Sequence, residues 1–286
     1  MSEIDLHTHS TASDGTLSPK DLVREAKRCG LKAIALTDHD TTSGLKEAKE
    51  AGKEFNIEVI AGCELSVEYP YGQMHILGLW LPVEPKKLES YLQFLRDKRH
   101  YRNKEILKKL QRLNIPIDYE EVKKVAKGES IGRPHIATVL VNKKIVSSVQ
   151  EAFDKYIGPK GLAYVPKVKL KPKEAIEILK DEGATVILAH PFSLNLDPQD
   201  LKKELYTLKD WGLDGIEAYY SEHTKEQTEL YLKLAKELNL VISGGSDFHG
   251  KVKKDIKLGV GKGNLNLPYT IVEKLKAFRC ERGLPV

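Results

Sequence analysis

The 286-residue sequence predicts an α/β barrel with a helical insertion. Two observations favour this fold class. Short apolar or β-branched runs alternate with amphipathic helical segments near both ends of the chain, which is typical of sheets covered by helices. Between Pro85 and Ile157 the hydrophobic periodicity is helical. We therefore expect a barrel domain of residues 1–84 and 165–286, and an inserted, mostly helical domain of residues 85–164.

The elements of the first 80 residues follow from local signals. Ile4 begins a first strand, and Ser18-Pro19 predicts a helix start because serine is a favoured N-cap and proline fits the first turn. Gly30 favours the end of that helix. The other elements expected here are strands at residues 33–37, 58–61, 65–69 and 74–79, a helix at residues 42–55, and a hairpin turn at residues 69–72.

A long basic amphipathic helix is expected after Pro85, followed by shorter helices and a strand at residues 163–165. The alternation of strands and helices then resumes. Helices are expected at residues 173–181, 201–211, 224–238 and 268–278, and strands at residues 185–189, 215–219 and 240–243.

The amino-acid composition is consistent with this predicted fold. Hydrophobic residues make up 41% and charged residues 30% of the chain, which is ordinary for a globular protein, and no apolar run approaches a membrane span. The first strand begins at once, which leaves no room for a signal peptide. Three cysteines form no disulfide framework, so a reducing, cytoplasmic location is expected. No membrane association or obligate protein partner is indicated.

The net charge of +5 is unevenly distributed. Residues 85–114 contain ten lysines and arginines but three acidic residues. Such a segment would attract a phosphate-bearing substrate, and Lys98, Arg99, Arg102 and Lys104 are its candidates for RNA contact. The alternative is a solvated helix face.

Imidazole and carboxylate groups follow several of the predicted strands. His7 and His9 are two residues apart on an extended segment, so both rings point to one side. A histidine hydrogen-bonded to backbone is the simpler explanation for any one of these residues. Together, however, they occupy equivalent positions at strand ends, where α/β proteins place their active sites. Imidazole with carboxylate is a ligand set for Zn, Mn, Fe or Ni, and we therefore predict a multinuclear metal hydrolase.

These segments resemble the polymerase and histidinol phosphatase (PHP) superfamily of metal-dependent phosphoesterases. The matching motifs run in family order along the chain: Asp5-Leu6-His7-Thr8-His9-Ser10, Ser13-Asp14-Gly15, Thr37-Asp38-His39-Asp40, Gly62-Cys63-Glu64, Met74-His75-Ile76-Leu77-Gly78, Ala189-His190-Pro191 and Gly245-Ser246-Asp247-Phe248-His249. The resemblance implies a distorted (β/α)7 barrel and three divalent metal ions per chain. It assigns His7, His9, Glu64 and Asp247 to one ion, Glu64, His75 and His190 to a second, and Asp14, His39 and His249 to a third.

The expected chemistry is phosphoester hydrolysis. Clustered divalent ions lower the pKa of a bridging water and hold the phosphoryl oxygens for in-line attack. Manganese is the expected metal, with Zn, Fe or Mg as alternatives. Asp38, Glu64 and His190 are the candidate catalytic residues. Asp38 either supports a neighbouring ligand, protonates the leaving oxygen, or is a helix N-cap or turn residue.

A second group of residues is a candidate phosphate-binding site. Gly132-Arg133-Pro134-His135 places Arg133 and His135 at the start of a helix, where the backbone amides and a guanidinium favour anions. His223, in Ser221-Glu222-His223-Thr224, is a further candidate. The alternatives are a surface salt bridge for Arg133 and a helix cap for His223.

The Arg-Pro-His helix and the insertion between His75 and His190 narrow the resemblance. They look like the branch that hydrolyses nucleotide 3′,5′-bisphosphates and trims short RNA from its 5′ end. The expected partner is thus a phosphorylated nucleotide or a short RNA. The alternatives are a histidinol-phosphate phosphatase, a nucleoside monophosphate phosphatase, or a metal-bound nucleic-acid-binding module without activity. The complete ligand set argues against the last.

Overall fold

The structure is a computed structural model that describes residues 2–126 and 131–286. The chain divides into two compact units. The first consists of Met1–Ser90 and Leu170–Val286, and the second of Tyr91–Lys169. No helix in the described ranges is both long enough and apolar enough to span a membrane.

The first unit contains a seven-stranded sheet in chain order. Neighbouring strands are parallel, except that β4 runs antiparallel to both β3 and β5. At one end the sheet nearly closes, because the His9 amide donates to the Phe248 carbonyl (2.9 Å) and the Asp247 amide to the His7 carbonyl (2.8 Å). The predicted seven-stranded barrel is thereby confirmed. The strands are β1 (Ile4–Thr8), β2 (Ala33–Leu36), β3 (Glu58–Val67), β4 (Met74–Leu79), β5 (Thr185–Leu188), β6 (Gly215–Tyr220) and β7 (Val241–Gly245).

Helices connect most of these strands and form the second unit. The described residues contain α1 (Pro19–Arg28), α2 (Leu45–Phe55), α3 (Lys86–Arg112), α4 (Tyr119–Ala126), α5 (Arg133–Asn142), α6 (Val149–Ala152), α7 (Pro172–Asp181), α8 (Pro198–Asp210), α9 (Lys225–Glu237) and α10 (Thr270–Cys280). A π-helical turn at Phe153–Ile157 follows α6. From Tyr91 onward the residues of α3 belong to the second unit.

Local signals explain how α1 begins and ends. Ser18 Oγ accepts a hydrogen bond from the Asp21 amide (3.0 Å), and Pro19 is the first helical residue. Gly30 follows with a φ of 80°, a conformation that glycine adopts without a Cβ clash. Leu22 and Val23 are buried on the face towards the sheet, and each such burial contributes roughly 1.5–3 kcal/mol.

Three expected elements differ in the structure. Strands predicted at residues 58–61 and 65–69 form one strand, β3, because Gly62 admits the close approach of Gly78: a Cβ at Gly62 would lie 2.9 Å from the Gly78 carbonyl oxygen. Residues 163–165 are described but form turns, with the Tyr164 amide donating to Gly161 (3.1 Å), so that predicted strand is wrong. The second helix begins at Leu45, since residues 42–45 form a turn.

The second unit has its own apolar core. Ile106 and Leu110 of α3 are fully buried, as are Ile136 and Leu140 of α5. The 3.6-residue period that identified these helices therefore also selected the side chains that pack inside this unit.

Candidate metal centre and phosphate-binding residues

The barrel gathers the candidate metal ligands at the ends of six strands. His7 lies in β1 with His9 just after it, and Glu64 and His75 lie in β3 and β4. Asp14 lies between β1 and α1, and the others follow β2, β5 and β7. Three groups have ligand atoms that all lie within 4.8 Å of one another: His9, Asp14, His39 and His249; His7, His9, Glu64 and Asp247; and His39, Glu64 and His75.

Glu64 lies at the centre of this arrangement and is fully buried. One carboxylate oxygen, Oε1, lies 2.8 Å from His75 Nδ1 and 3.0 Å from His190 Nε2. The other, Oε2, lies 2.9 Å from His39 Nδ1 and 3.2 Å from Nε2 of both His7 and His9. A carboxylate that faces imidazoles on both oxygens is suited to bridge two cations.

The polar atoms of this cluster fit divalent metal ions. His7 Nε2, both ring nitrogens of His9, His39 Nδ1 and Glu64 Oε2 are buried and make no well-aligned hydrogen bond among the described residues, although several of them lie 2.9–3.2 Å from one another. Buried polar atoms normally have partners. Here the atoms without one are nitrogen and oxygen donors that converge on shared points, which is the donor set of Zn, Mn or Fe sites.

The electrostatics of the cluster also favour added positive charge. Burial lowers the pKa of His9, but Asp247 and Glu64 outweigh this effect and raise it to about 9. Burial raises the pKa of Glu64, but His39, His7 and His75 outweigh it and hold it well below the usual range. The carboxylates thus favour the protonated form of His7 and His9, and metal ions would displace such protons on binding.

Glu217 was missed by sequence reasoning, although it contacts two of the predicted ligands. His7 Nδ1 donates to Glu217 Oε1 (3.0 Å), and the His190 amide donates to Oε2 (2.8 Å). These bonds fix the His7 ring and leave its Nε2 available as a ligand atom. The available signal was a carboxylate in the otherwise apolar, buried strand β6.

Asp38 supports the turn that carries Asp14. Its Oδ1 accepts from the Ser10 amide (2.7 Å) and from Ser13 Oγ (2.6 Å), and its Oδ2 accepts from Ser10 Oγ (2.7 Å). These bonds reach residues 25 and 28 positions away, so they support the segment that carries Asp14. Its role as a proton donor remains a prediction.

Asp5 plays a similar part on the other side of β1. It accepts hydrogen bonds from the Ser246 amide (2.8 Å) and the Gly259 amide (2.7 Å), and burial raises its pKa to about 6. It therefore ties β1 to the segment that carries the ligands Asp247 and His249.

Two candidate ligands have unusual backbone conformations. His190 has a φ of 25° and Asp247 a φ of 56°. Positive φ values cost non-glycine residues roughly 1–3 kcal/mol each and occur at functional sites more than elsewhere. The surrounding structure holds both residues at strand ends, where their side chains reach the cluster.

His223 is buried among aromatic rings. Its Nδ1 donates to the Ala218 carbonyl (3.1 Å), and its ring contacts Phe192, Tyr220 and Tyr231. Burial lowers its pKa to about 4, so the ring is neutral at pH 7 and its Nε2 is an acceptor. The predicted contact with a phosphate remains a prediction and would need a protonated ring.

In the second unit, Arg133 and His135 lie at the start of α5, as expected from the sequence. Arg133 Nη1 donates to the Ile157 carbonyl (3.1 Å), and the guanidinium lies 5.5 Å from the centre of the Phe153 ring. His135 Nδ1 accepts from the Gly132 amide (3.0 Å). In the neutral ring the proton is then on Nε2, which can donate to a phosphate.

Arg102 adds a buried positive charge to this unit. Only 7% of its surface is exposed, and its Nε has no hydrogen-bond partner among the described residues. Burial, followed by the charges of Arg133 and Arg99, lowers its pKa to about 10. Sequence reasoning assigned Arg102 to an exposed basic face, because the periodicity of α3 did not show which side the second unit would cover.

Comparison with known proteins supplies independent information. The PHP domain family profile matches residues 5–157. A 5′-3′ exoribonuclease of Haemophilus influenzae is 40% identical over 245 residues, or 86% of this chain and 89% of that protein. A 3′,5′-nucleoside bisphosphate phosphatase of Chromobacterium violaceum is 30% identical, covering 87% of this chain and 88% of that protein. The crystal structure of an inferred metal-dependent phosphoesterase from Bifidobacterium adolescentis has a TM-score of 0.79, with 30% identity and 96% of both chains covered.

Proposed function

Because the chain belongs to the PHP domain family and is a metal-dependent phosphoesterase, we propose that it hydrolyses nucleotide 3′,5′-bisphosphates and removes nucleotides from the 5′ end of short RNA. One observation supports this substrate class above others. Besides the cluster around Glu64, the chain contains Arg102 and Arg133, and burial, followed by the nearby charge of Arg133, lowers the pKa of Arg102. Substrates with phosphates on both sides of a ribose need two anion-binding groups.

We propose that each chain binds three metal ions and that manganese is the preferred metal. The proposed ligand sets are those that the family resemblance assigns: His7, His9, Glu64 and Asp247; Glu64, His75 and His190; and Asp14, His39 and His249. Divalent ions in such sites activate water and neutralise the developing charge on a phosphoryl group. The protein's own part is to orient the ligands. Glu217 fixes His7, and Asp38 fixes the turn that presents Asp14. Glu64 on β3 and His190 directly after the end of β5 complete the site.

We propose that Arg133 and His135 bind the phosphate that is not cleaved, with Arg102 adding positive charge. Arg133 uses one donor on Ile157, and the fork geometry of a guanidinium leaves others for a bidentate contact. Arg102 is buried and Arg133 is half-buried. Burying an arginine without a partner is unfavourable, and a pocket for a substrate without a second phosphate would have no use for that charge.

The test is a substrate panel in the presence of Mn²⁺: adenosine 3′,5′-bisphosphate, AMP, histidinol phosphate and a short 5′-phosphorylated RNA. Arg133→Ala should reduce kcat/KM about tenfold to hundredfold with the bisphosphate, which corresponds to roughly 1.5–3 kcal/mol for a charge-assisted hydrogen bond. It should scarcely change hydrolysis of p-nitrophenyl phosphate, which has no second phosphate. Metal content should be unaltered.

Arg112→Ala, at the exposed end of α3, is the matched control. Equal losses on both substrates would show that Arg133 serves the reacting group or the fold. A preference for histidinol phosphate or AMP in the panel would instead support the alternative phosphatases, and binding of RNA without hydrolysis of any substrate would support the non-enzymatic alternative.

A further inference from the structure

A groove of about 890 Å³ lies on the first unit, between α1 and the segment 248–260. Its apolar lining includes Leu17, Phe248 and Ile256, and this surface is not part of the metal cluster. We call it the α1 groove. Its volume is large enough to hold a ligand.

The lining of the α1 groove is predominantly basic. The basic residues are Arg24, Arg28, Lys251, Lys254 and Lys257, against the acidic residues Asp21 and Glu25. The two acids already form ion pairs within α1, with Arg24 (2.5 Å) and Arg28 (2.7 Å) respectively. The three lysines are exposed on the facing segment. The groove therefore carries a net positive charge of about three, counted as five basic minus two acidic residues, on an apolar floor.

Two residues of the groove lining lie close in sequence to candidate metal ligands. Thr16 and Lys251 line the groove, and the Lys251 amide donates to Thr16 Oγ1 (3.0 Å). Thr16 is two positions from Asp14 and Lys251 is two positions from His249, and the side chains of Asp14 and His249 approach to 3.3 Å. Cys29, directly after the last residue of α1, also lines the groove. The segments that form the groove therefore also carry two candidate ligands of the metal cluster.

We propose that the α1 groove binds the RNA on the 3′ side of the cleaved bond, with its lysines on the phosphates. The proposal rests on the proposed exonuclease activity, since only a polynucleotide substrate extends beyond the reacting phosphate. The phosphates of an RNA chain need basic side chains along their path, and an apolar floor gives the unstacked bases a surface to pack against. A bisphosphate ends at the metal centre and does not use the groove.

The test compares Lys254→Ala/Lys257→Ala with the wild type on 5′-phosphorylated RNAs of increasing length that share the same first nucleotides. In the wild type, KM should fall with length. In the variant this gain should largely disappear, with KM for the longest RNA raised roughly tenfold and the slope of log KM against log salt reduced by about 1.4, or 0.7 per phosphate contact. Hydrolysis of adenosine 3′,5′-bisphosphate should be unchanged.

The control is Lys233→Ala/Lys236→Ala on α9, since these exposed lysines do not line the groove. Cys29 and Cys280 are both exposed and provide a second measurement. A cleavage-resistant RNA should slow alkylation of Cys29, which lines the groove, but not that of Cys280.

The outcomes separate this proposal from the proposed function. Hydrolysis of RNA with an unchanged length dependence and unprotected Cys29 would overturn the groove assignment alone and leave the groove for a protein partner. Equal losses on RNA and bisphosphate would also overturn it, because the lysines would then act at the metal centre. An enzyme that hydrolyses no RNA at all would instead refute the proposed exonuclease activity.

Discussion

Two histidines of the metal cluster have one ring nitrogen fixed by a supporting hydrogen bond. His7 donates its Nδ1 to Glu217, and His249 donates its Nδ1 to the Asp247 carbonyl (2.8 Å). In both rings Nε2 remains to face the cluster. Such supporting bonds determine the tautomer and the orientation of a metal ligand, so residues without a ligand atom of their own still affect metal affinity.

Glu217→Gln tests this point at one position. The amide preserves the size of the side chain but removes the charge that stabilises the Nδ1–H of His7. We expect metal affinity to fall about tenfold to hundredfold, which is the usual effect of losing such a partner. Isothermal titration with Mn²⁺ measures it directly. Glu222→Gln, two residues beyond β6, is the matched control, and equal affinities in all three proteins would reduce Glu217 to a packing role.

At the scale of elements, α3 and α5 combine two functions. Their apolar residues form the core of the second unit, yet Arg102 is buried in it and Arg133 begins α5. Within residues 2–126 and 131–286 no carboxylate pairs with Arg102, and a buried charge without such a partner destabilises a fold. Its presence in a helix that could have buried a leucine favours a role in binding an anion.

Arg102→Met should therefore separate stability from function. Methionine keeps the apolar stem and removes the buried charge, so we expect the melting temperature to stay the same or to rise. We also expect KM for the bisphosphate to increase, with metal content unchanged. Calorimetry and steady-state kinetics measure the two effects. A large fall in melting temperature with unaltered KM would mean that Arg102 is structural.

The basic segment of residues 85–114 is more heterogeneous than its sequence implied. Lys98 lies 5.1 Å from the centre of the Phe94 ring and is exposed, whereas Arg102 is buried. Contact of this segment with RNA stays a prediction, and Lys98 and Lys104 are the residues on which it now depends.

At the scale of the whole molecule, the metal centre is a product of barrel closure. Its candidate ligands come from the ends of six strands, and the most distant in sequence, His7 and His249, are separated by almost the whole chain. The apolar core lies elsewhere, with residues such as Leu6, Leu77 and Ile187 fully buried inside the sheet. We therefore expect the fold to form without metal ions and to gain stability when they bind.

Metal loading should show this relation. Elemental analysis after saturation with Mn²⁺ should approach three ions per chain, and Glu64→Gln should lose at least one. Binding at one hundred times the dissociation constant stabilises a folded protein by about 2.7 kcal/mol per site, so Mn²⁺ should raise the melting temperature of the wild type more than that of the variant. Both proteins should remain folded in EDTA. No bound metal in the wild type would refute the metal centre.

The sequence by itself determined the features that arise from local chemistry. The period of apolar residues and the caps at Ser18 and Gly30 predicted most helices and strands, because these signals act within a few residues. The placement of His7, His39, His190 and Asp247 at strand ends also indicated metal binding before any distance was known.

Only the tertiary structure decided which residues support the site. Glu217 and Asp5 lie in strands and are distant in sequence from the groups that they bind, so a carboxylate within an apolar strand indicates a buried role but does not identify the partner. The same applies to Arg102, whose burial depends on the packing of α3 in its unit, and to the α1 groove, which two segments more than 200 residues apart create together. Hydrogen bonding and burial between such segments depend on how the chain closes on itself, and the order of residues along one element does not encode that information.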